Sequence, residues 1–347
     1  MDELELLKTM VSMYSPTDEE GQLADYLVQT MNDNGFQSHI DEVGNAVGIM
    51  GEGPEEILLV GHLDTVPGEI PVRVEDGILH GRGSVDAKGP LAAMVCAASS
   101  LENTAGKRIT VIGVVDEEGD SRGARHLLNK YDPNCVIIGE PSGWDSVAIG
   151  YKGCLRLRYV IEEINKHTGT PDPNPAEMGV EFWNELNDHC SSESGDSAFD
   201  SLIPRLVSFN TENDGLRTRV EMQIDVRVPP AANIEEVKAN IEQLGSGDLH
   251  WVSEEAPIVS SKNSFLTRAF VSAIREADGS PTYKKKLGTS DMNVLGNHWS
   301  VPIVAYGPGD SRLDHTPDER LSLEDYSTSI RVLRSVLSSL TERQKLD

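Results

Sequence analysis

The chain is poor in several features, and each shortage removes a class of function. It has four cysteines in 347 residues (Cys96, Cys135, Cys154 and Cys190) and no Cys-x-x-Cys pair. That excludes a disulfide framework and leaves reduced core thiols, as expected of a cytoplasmic protein. No apolar run approaches the length needed to span a bilayer; residues 57–60 and 109–115 are strand-sized. The opening Met1-Asp2-Glu3-Leu4-Glu5 is acidic and lacks the basic-then-apolar order of a secretory signal. Basic residues are scarce, 30 against 57 acidic ones, for a formal charge of −27. A chain so negative repels nucleic acid and anionic membrane alike. There is no Gly-x-Ser-x-Gly elbow to present a serine nucleophile. Lys88 lies outside any Gly-x-x-x-x-Gly-Lys-Ser/Thr frame, which argues against a phosphate-cradling loop.

What is present reads as a soluble, globular chain. Hydrophobic residues make up 38% and charged residues 25%, a globular composition, and the length suits two domains. The charge would destabilise a compact protein at low salt through self-repulsion, but at molar salt the Debye length falls to about 3 Å. The expectation is an organism with a salt-rich cytoplasm; an ordinary acidic enzyme is the plainer alternative.

Apolar residues at helical spacing mark helices at 4–11 and 23–31. Strand-like runs follow at 39–43, 46–50 and 57–61, with a hairpin around Glu75-Asp76-Gly77. Residues 87–101 read as a buried helix, 109–115 and 135–139 as strands buried on both faces, and 123–130 as a helix between them. This alternation predicts an α/β fold, a mostly parallel mixed sheet flanked by helices. Near residue 150 the texture changes to alternating strands (155–161 and 219–228), helices near 177–189 and 234–244, and a polar loop at 191–197. From Ser264 the chain returns to helix, buried strand (302–306) and a long amphipathic helix (323–340). The predicted organisation is one domain from 1–150 and 261–347, with a smaller α+β domain inserted at 151–260.

Five positions deliver a histidine or a carboxylate to a loop or strand end. His62 and Asp64, two apart beyond a buried strand, point to the same side, where sites in open α/β sheets lie. Alone, His-x-Asp is common. Asp86 stands among glycines just before a helix and could simply cap it. Asp116-Glu117-Glu118 follows a buried strand; three adjacent acids there are costly without cations, unless the loop is merely solvated. Glu140 again follows a buried strand, and His315 follows the last one. Independent core histidines and capping acids would not fall in so regular an order.

The motifs GHLDTVP, GRGSVDAKGPLAAM, DEEGDSRGARHL, GEPS and DHTPDE, in that order, resemble the superfamily of metal-dependent aminoacylases, acetylornithine deacetylases and succinyl-diaminopimelate desuccinylases over essentially the whole chain. Within it, GTSDMNVL and YGPGDSRLDHTPDE are most similar to the LysW-lysine/LysW-ornithine hydrolases, which release lysine or ornithine from the terminal glutamate of an acidic amino-group carrier protein. The resemblance implies a zinc-peptidase-like catalytic domain, an inserted lid or dimerisation domain, a homodimer and two divalent ions per subunit. Zinc suits the donors, and cobalt or manganese fits nearly as well. It further implies that His62 and Glu140 bind one ion, Glu118 and His315 the other, and that Asp86 bridges both. Asp64 would orient His62, Glu117 would be the general base, and a cis peptide would follow Asp86. His167 matches a histidine that the inserted domain contributes to the site; the alternative is a plain surface histidine.

For a substrate α-carboxylate, Gly288, Thr289 and Ser290 offer hydroxyls and backbone N–H groups. Lys284-Lys285-Lys286, a triple-basic run in an acidic chain, could attract the carrier. Two rivals remain open at this level: a deacylase of small acyl-amino acids, and a metal-dependent binding protein without catalysis.

Overall fold

A computed structural model describes residues 1–193 and 195–346; of the expected polar loop at 191–197, Ser194 lies outside the described residues. The chain forms two units. The larger comprises residues 1–149, 260–284 and 290–347; the smaller comprises 150–259 together with the return segment 285–289.

In the larger unit the strands hydrogen-bond in the order Gln37–Ile40, Ala46–Met50, Arg108–Val114, Glu56–His62, Cys135–Ile138, Ile303–Ala305, Ser146–Tyr151. The four in the middle, from Arg108–Val114 to Ile303–Ala305, are mutually parallel, while their outer neighbours are antiparallel. This is the expected mixed α/β sheet with a parallel centre. The parallel strands are apolar almost throughout because helices cover both faces. The helix Lys88–Ser99 is buried nearly all round, which is why small residues (Ala92, Ala93, Ala97, Ala98) dominate it. The amphipathic helices Glu3–Ser12, Gly21–Asp33, Phe265–Glu276 and Leu323–Glu342 bury one stripe each in the same core. A separate three-stranded antiparallel ribbon joins Arg320–Ser322, Ile78–His80 and Arg73–Glu75.

The smaller unit carries an antiparallel sheet ordered Ile203–Asn213, Arg217–Val228, Gly153–Ile164, Asp248–Glu255. One face packs on the helices Pro175–Ser192 and Ile234–Ile241, with Tyr159 stacked on Phe182 at 3.6 Å between ring centroids. The strand Ile203–Asn213, at an edge of this sheet, had no counterpart in the sequence reading.

Candidate metal centre

Parallel strands end on the same side, and here four neighbours end beside one another. Glu56–His62 finishes on His62, Arg108–Val114 leads to Glu117 and Glu118, Cys135–Ile138 leads to Glu140, and the loop after Ile303–Ala305 carries His315. Asp86 arrives from the loop between Ile78–His80 and Lys88–Ser99. That loop needs its glycines: Gly83 has φ +83°, and a Cβ there would lie 2.8 Å from the Thr65 methyl carbon. The peptide Asp86–Ala87 is cis. Ala87 caps the following helix without a side-chain bond, so Asp86 is not spent as a cap.

The side chains converge in overlapping sets: His62 with Asp86 and Glu140, Asp86 with Glu118 and His315, and His62 with Glu117 and Glu118. His62 Nε2 lies 3.1 Å from Asp86 Oδ1 and 4.0 Å from Glu140 Oε1. His315 Nε2 lies 3.0 Å from both Asp86 Oδ2 and Glu118 Oε1. The two oxygens of Asp86 thus face different histidines, the geometry of a carboxylate between two positive centres.

Asp64 is fully buried and works as a hub. The His62 Nδ1–H donates to the Asp64 backbone carbonyl at 2.8 Å, while the nearer carboxylate oxygen stands 3.6 Å away. The ring is therefore oriented mainly by main chain. The carboxylate accepts instead from the backbone N–H groups of Glu117 (3.1 Å) and Glu118 (3.0 Å) and from the Thr17 hydroxyl (2.9 Å). Asp116 turns the chain there with φ 65°, a left-handed conformation that aspartate tolerates.

Electrostatics state what the cluster lacks. Burial favours neutral His62, yet the neighbouring carboxylates of Asp64 and Asp86 outweigh that and raise its pKa well above normal. Asp86 and Glu118 hold His315 up to about 10. Burial, with Glu140, Asp291 and Glu118 nearby, raises the proton affinity of Glu117 against the lowering effect of His62. Four carboxylates around two imidazoles call for extra positive charge. The donors are nitrogen and oxygen, two imidazoles and several carboxylates, and Asp86 is shared. Donors of this kind suit divalent cations, and they fall in two groups that share Asp86: His62, Asp86 and Glu140, and Asp86, Glu118 and His315.

The remaining predicted positions differ. His167 is exposed in the smaller unit, after the strand Gly153–Ile164; its Nδ1 accepts the Gly169 N–H at 3.1 Å. It belongs to none of the convergent sets. The Thr289 hydroxyl accepts from Arg227 Nη1 at 3.3 Å, which supplies a cation that sequence reasoning did not identify. Ser290 caps the helix Asp291–His298, its N–H bonded to Asn293 Oδ1 and its hydroxyl oxygen accepting from Met292 N–H. The basic run is partly occupied, with Lys284 donating to the Ser142 carbonyl at 2.6 Å and Lys285 lying 4.6 Å over the Phe199 ring. Sequence reasoning also missed Thr17, Arg82 and Glu319, which touch the ligand-bearing loops rather than the convergent centre.

Comparison with known proteins adds independent findings. The family model described as peptidase family M20/M25/M40 matches residues 58–339. A [LysW]-lysine hydrolase of Deinococcus radiodurans is 42% identical over 348 residues, covering 97% of this chain and 96% of that protein. A [LysW]-lysine/[LysW]-ornithine hydrolase of Saccharolobus islandicus is 30% identical, covering 98% and 96%. Among solved structures, an M20 family metallo-carboxypeptidase from Sulfolobus solfataricus superposes with TM-score 0.81 at 17% identity, covering 97% of this chain and 98% of that one. A dinuclear metal-binding M20 peptidase from Bacillus subtilis gives 0.74 at 11% identity, covering 98% of each.

Proposed function

The chain belongs to peptidase family M20/M25/M40, and from that premise we propose that it releases L-lysine, L-ornithine or both from the C-terminal glutamate of an acidic amino-group carrier protein. The observation that carries the reading is identity of 42% with a [LysW]-lysine hydrolase across 97% of the chain. The convergent His/carboxylate centre supplies the chemistry such a reaction needs.

When bound, divalent ions would lower the pKa of water to about 7 and would polarise the scissile carbonyl. Glu117 has a raised proton affinity and its backbone is pinned by Asp64. It takes the proton of the attacking water and passes it to the leaving amine. His62, Asp86, Glu118, Glu140 and His315 would hold the ions, zinc by preference. For the α-carboxylate of the released amino acid, Gly288, Thr289 and Ser290 would offer hydroxyls and backbone N–H groups. His167 serves the oxyanion in an assembly of two copies.

The homodimer in this reading forms through the smaller unit, whose edge strand Ile203–Asn213 exposes Leu206 and Val207. The setting is a salt-rich cytoplasm, which the charge of −27 favours. No helix among the described residues is long and apolar enough to cross a membrane.

The decisive assay offers carrier-linked lysine, carrier-linked ornithine, N-acetylornithine and N-succinyl-diaminopimelate to the metal-loaded enzyme. Preferential release of lysine or ornithine from the carrier is expected. Turnover confined to the small acylated substrates would replace the carrier reading with that of a deacylase.

A further inference from the structure

We propose that Glu319, gripping Arg82, is a positioning residue that fixes the loop of Asp86 against the loop of His315 and so sets the geometry of the cation pair. The inference rests on the two-cation reading above and adds to it a residue that touches neither cation.

Glu319 is 1% exposed, at the start of the ribbon strand Arg320–Ser322. Its Oε1 accepts two consecutive backbone N–H groups, those of Val85 (2.9 Å) and of Asp86 itself (3.1 Å). Its Oε2 accepts from Arg82 Nη1 at 2.8 Å. Arg82, also buried at 7% exposed, donates in addition from Nη1 to the Thr316 carbonyl at 3.2 Å and from Nε to the Gly68 carbonyl at 3.0 Å. The Glu319 carbonyl receives the Gly81 N–H at 3.4 Å. Pairing of Arg320–Ser322 with Ile78–His80 continues the same seam. The segment 81–86 is therefore tied to the segment 316–319 at its beginning, middle and end.

A buried ion pair is weak evidence for stability, since well-packed apolar groups often hold two segments as firmly. What apolar groups cannot do is accept two adjacent N–H groups and a guanidinium together; an ionised carboxylate can, because it is acceptor-only on both oxygens. The N–H groups chosen are those that fix the backbone from which the Asp86 side chain springs. The loop they are tied to carries His315, whose Nε2 faces Asp86 Oδ2 at 3.0 Å. Freeing Glu319 frees both ends of that contact at once.

The test uses the full chain and cobalt(II), followed by calorimetric titration, visible absorption and thermal melts, for the native sequence, Glu319→Gln, Glu319→Ala and Arg82→Met. Glu56→Gln serves as control: Glu56 is also buried, accepts the Thr110 hydroxyl, and begins the strand that His62 ends. Weakening of cobalt affinity by about 10–100-fold, with an altered absorption spectrum, is expected for the Glu319 and Arg82 variants. The control should melt earlier with its cobalt spectrum intact. If Glu319→Ala does not fold, Glu319→Gln, which keeps volume and one acceptor, decides. Native affinity and spectrum in the folded variants, even with lower melting temperatures, would reduce Glu319 to a structural residue and overturn the proposal. A native chain that takes up no cation pair would overturn the two-cation reading and this inference with it, and that result is visible before any substitution is made.

Discussion

At Asp64 three hydrogen-bond donors from two segments of chain meet one buried carboxylate, and two of them are the N–H groups of Glu117 and Glu118. The consequence is a division of labour between adjacent residues. Glu118 turns to His315 at 3.0 Å, while Glu117 stands beside His62 with its proton affinity raised. On the proposed reading, in which Glu117 handles the proton, Glu117→Gln should lower kcat by roughly 10²–10⁴-fold or more while both cations remain bound. Replacing His62, Asp86 or His315 by alanine should lose metal as well as turnover. Metal analysis beside initial rates checks this, and near-normal kcat in Glu117→Gln would remove the residue from its role.

Among the elements, those that build the site were legible because burial on both faces forces an apolar run, as at Arg108–Val114 and Cys135–Ile138, and a charged residue directly after such a run stands out. Ile203–Asn213 was not legible: it lies at a sheet edge, contains Pro204 and is mostly exposed, so no alternation survives. The helix Asp291–His298 was hidden because the motif around it invited a reading as substrate contacts, although Ser290 and Asn293 make a capping box. Glu319 did not stand out for a different reason, since one more acid in so acidic a chain carries no signal until its three donors are seen. Turns bear a prediction of their own. The turn after Gln37–Ile40 is organised by Asp41, whose Oδ1 accepts from the N–H groups of Val43, Gly44 and Asn45. Next to it, Glu42 bonds Lys130 at 2.9 Å and His126 at 3.1 Å. Lys130 first, then the local backbone and His126, hold the Glu42 pKa down to about 2 from 4.5. A depressed carboxylate stabilises the fold above its unfolded pKa and loses that contribution as pH falls from about 4.5 towards 2. Melting curves of Glu42→Gln should therefore show a shallower decline over that window than the native chain; parallel curves would show that the pair contributes nothing.

For the whole molecule the charge of −27 is the governing quantity. Like charges spread over one surface repel at all separations within a Debye length, about 10 Å in 0.1 M salt and 3 Å in 1 M. The melting temperature should accordingly rise as potassium chloride is increased from about 0.1 M to 2 M, and the reading of adaptation to a salty cytoplasm fails if it stays flat or falls. The division of the chain has a further result, concerning the order in which it is made. His62, Asp86, Glu118 and Glu140 all precede the smaller unit, whereas His315 and Glu319 follow it. At ribosomal speeds of about 5–20 residues per second, roughly 9–35 s separate the emergence of Glu140 from that of His315. Through that interval the group of His62, Asp86 and Glu140 has already been made, while the group of Asp86, Glu118 and His315 still lacks its histidine, so the two halves of the centre are completed at different moments of synthesis.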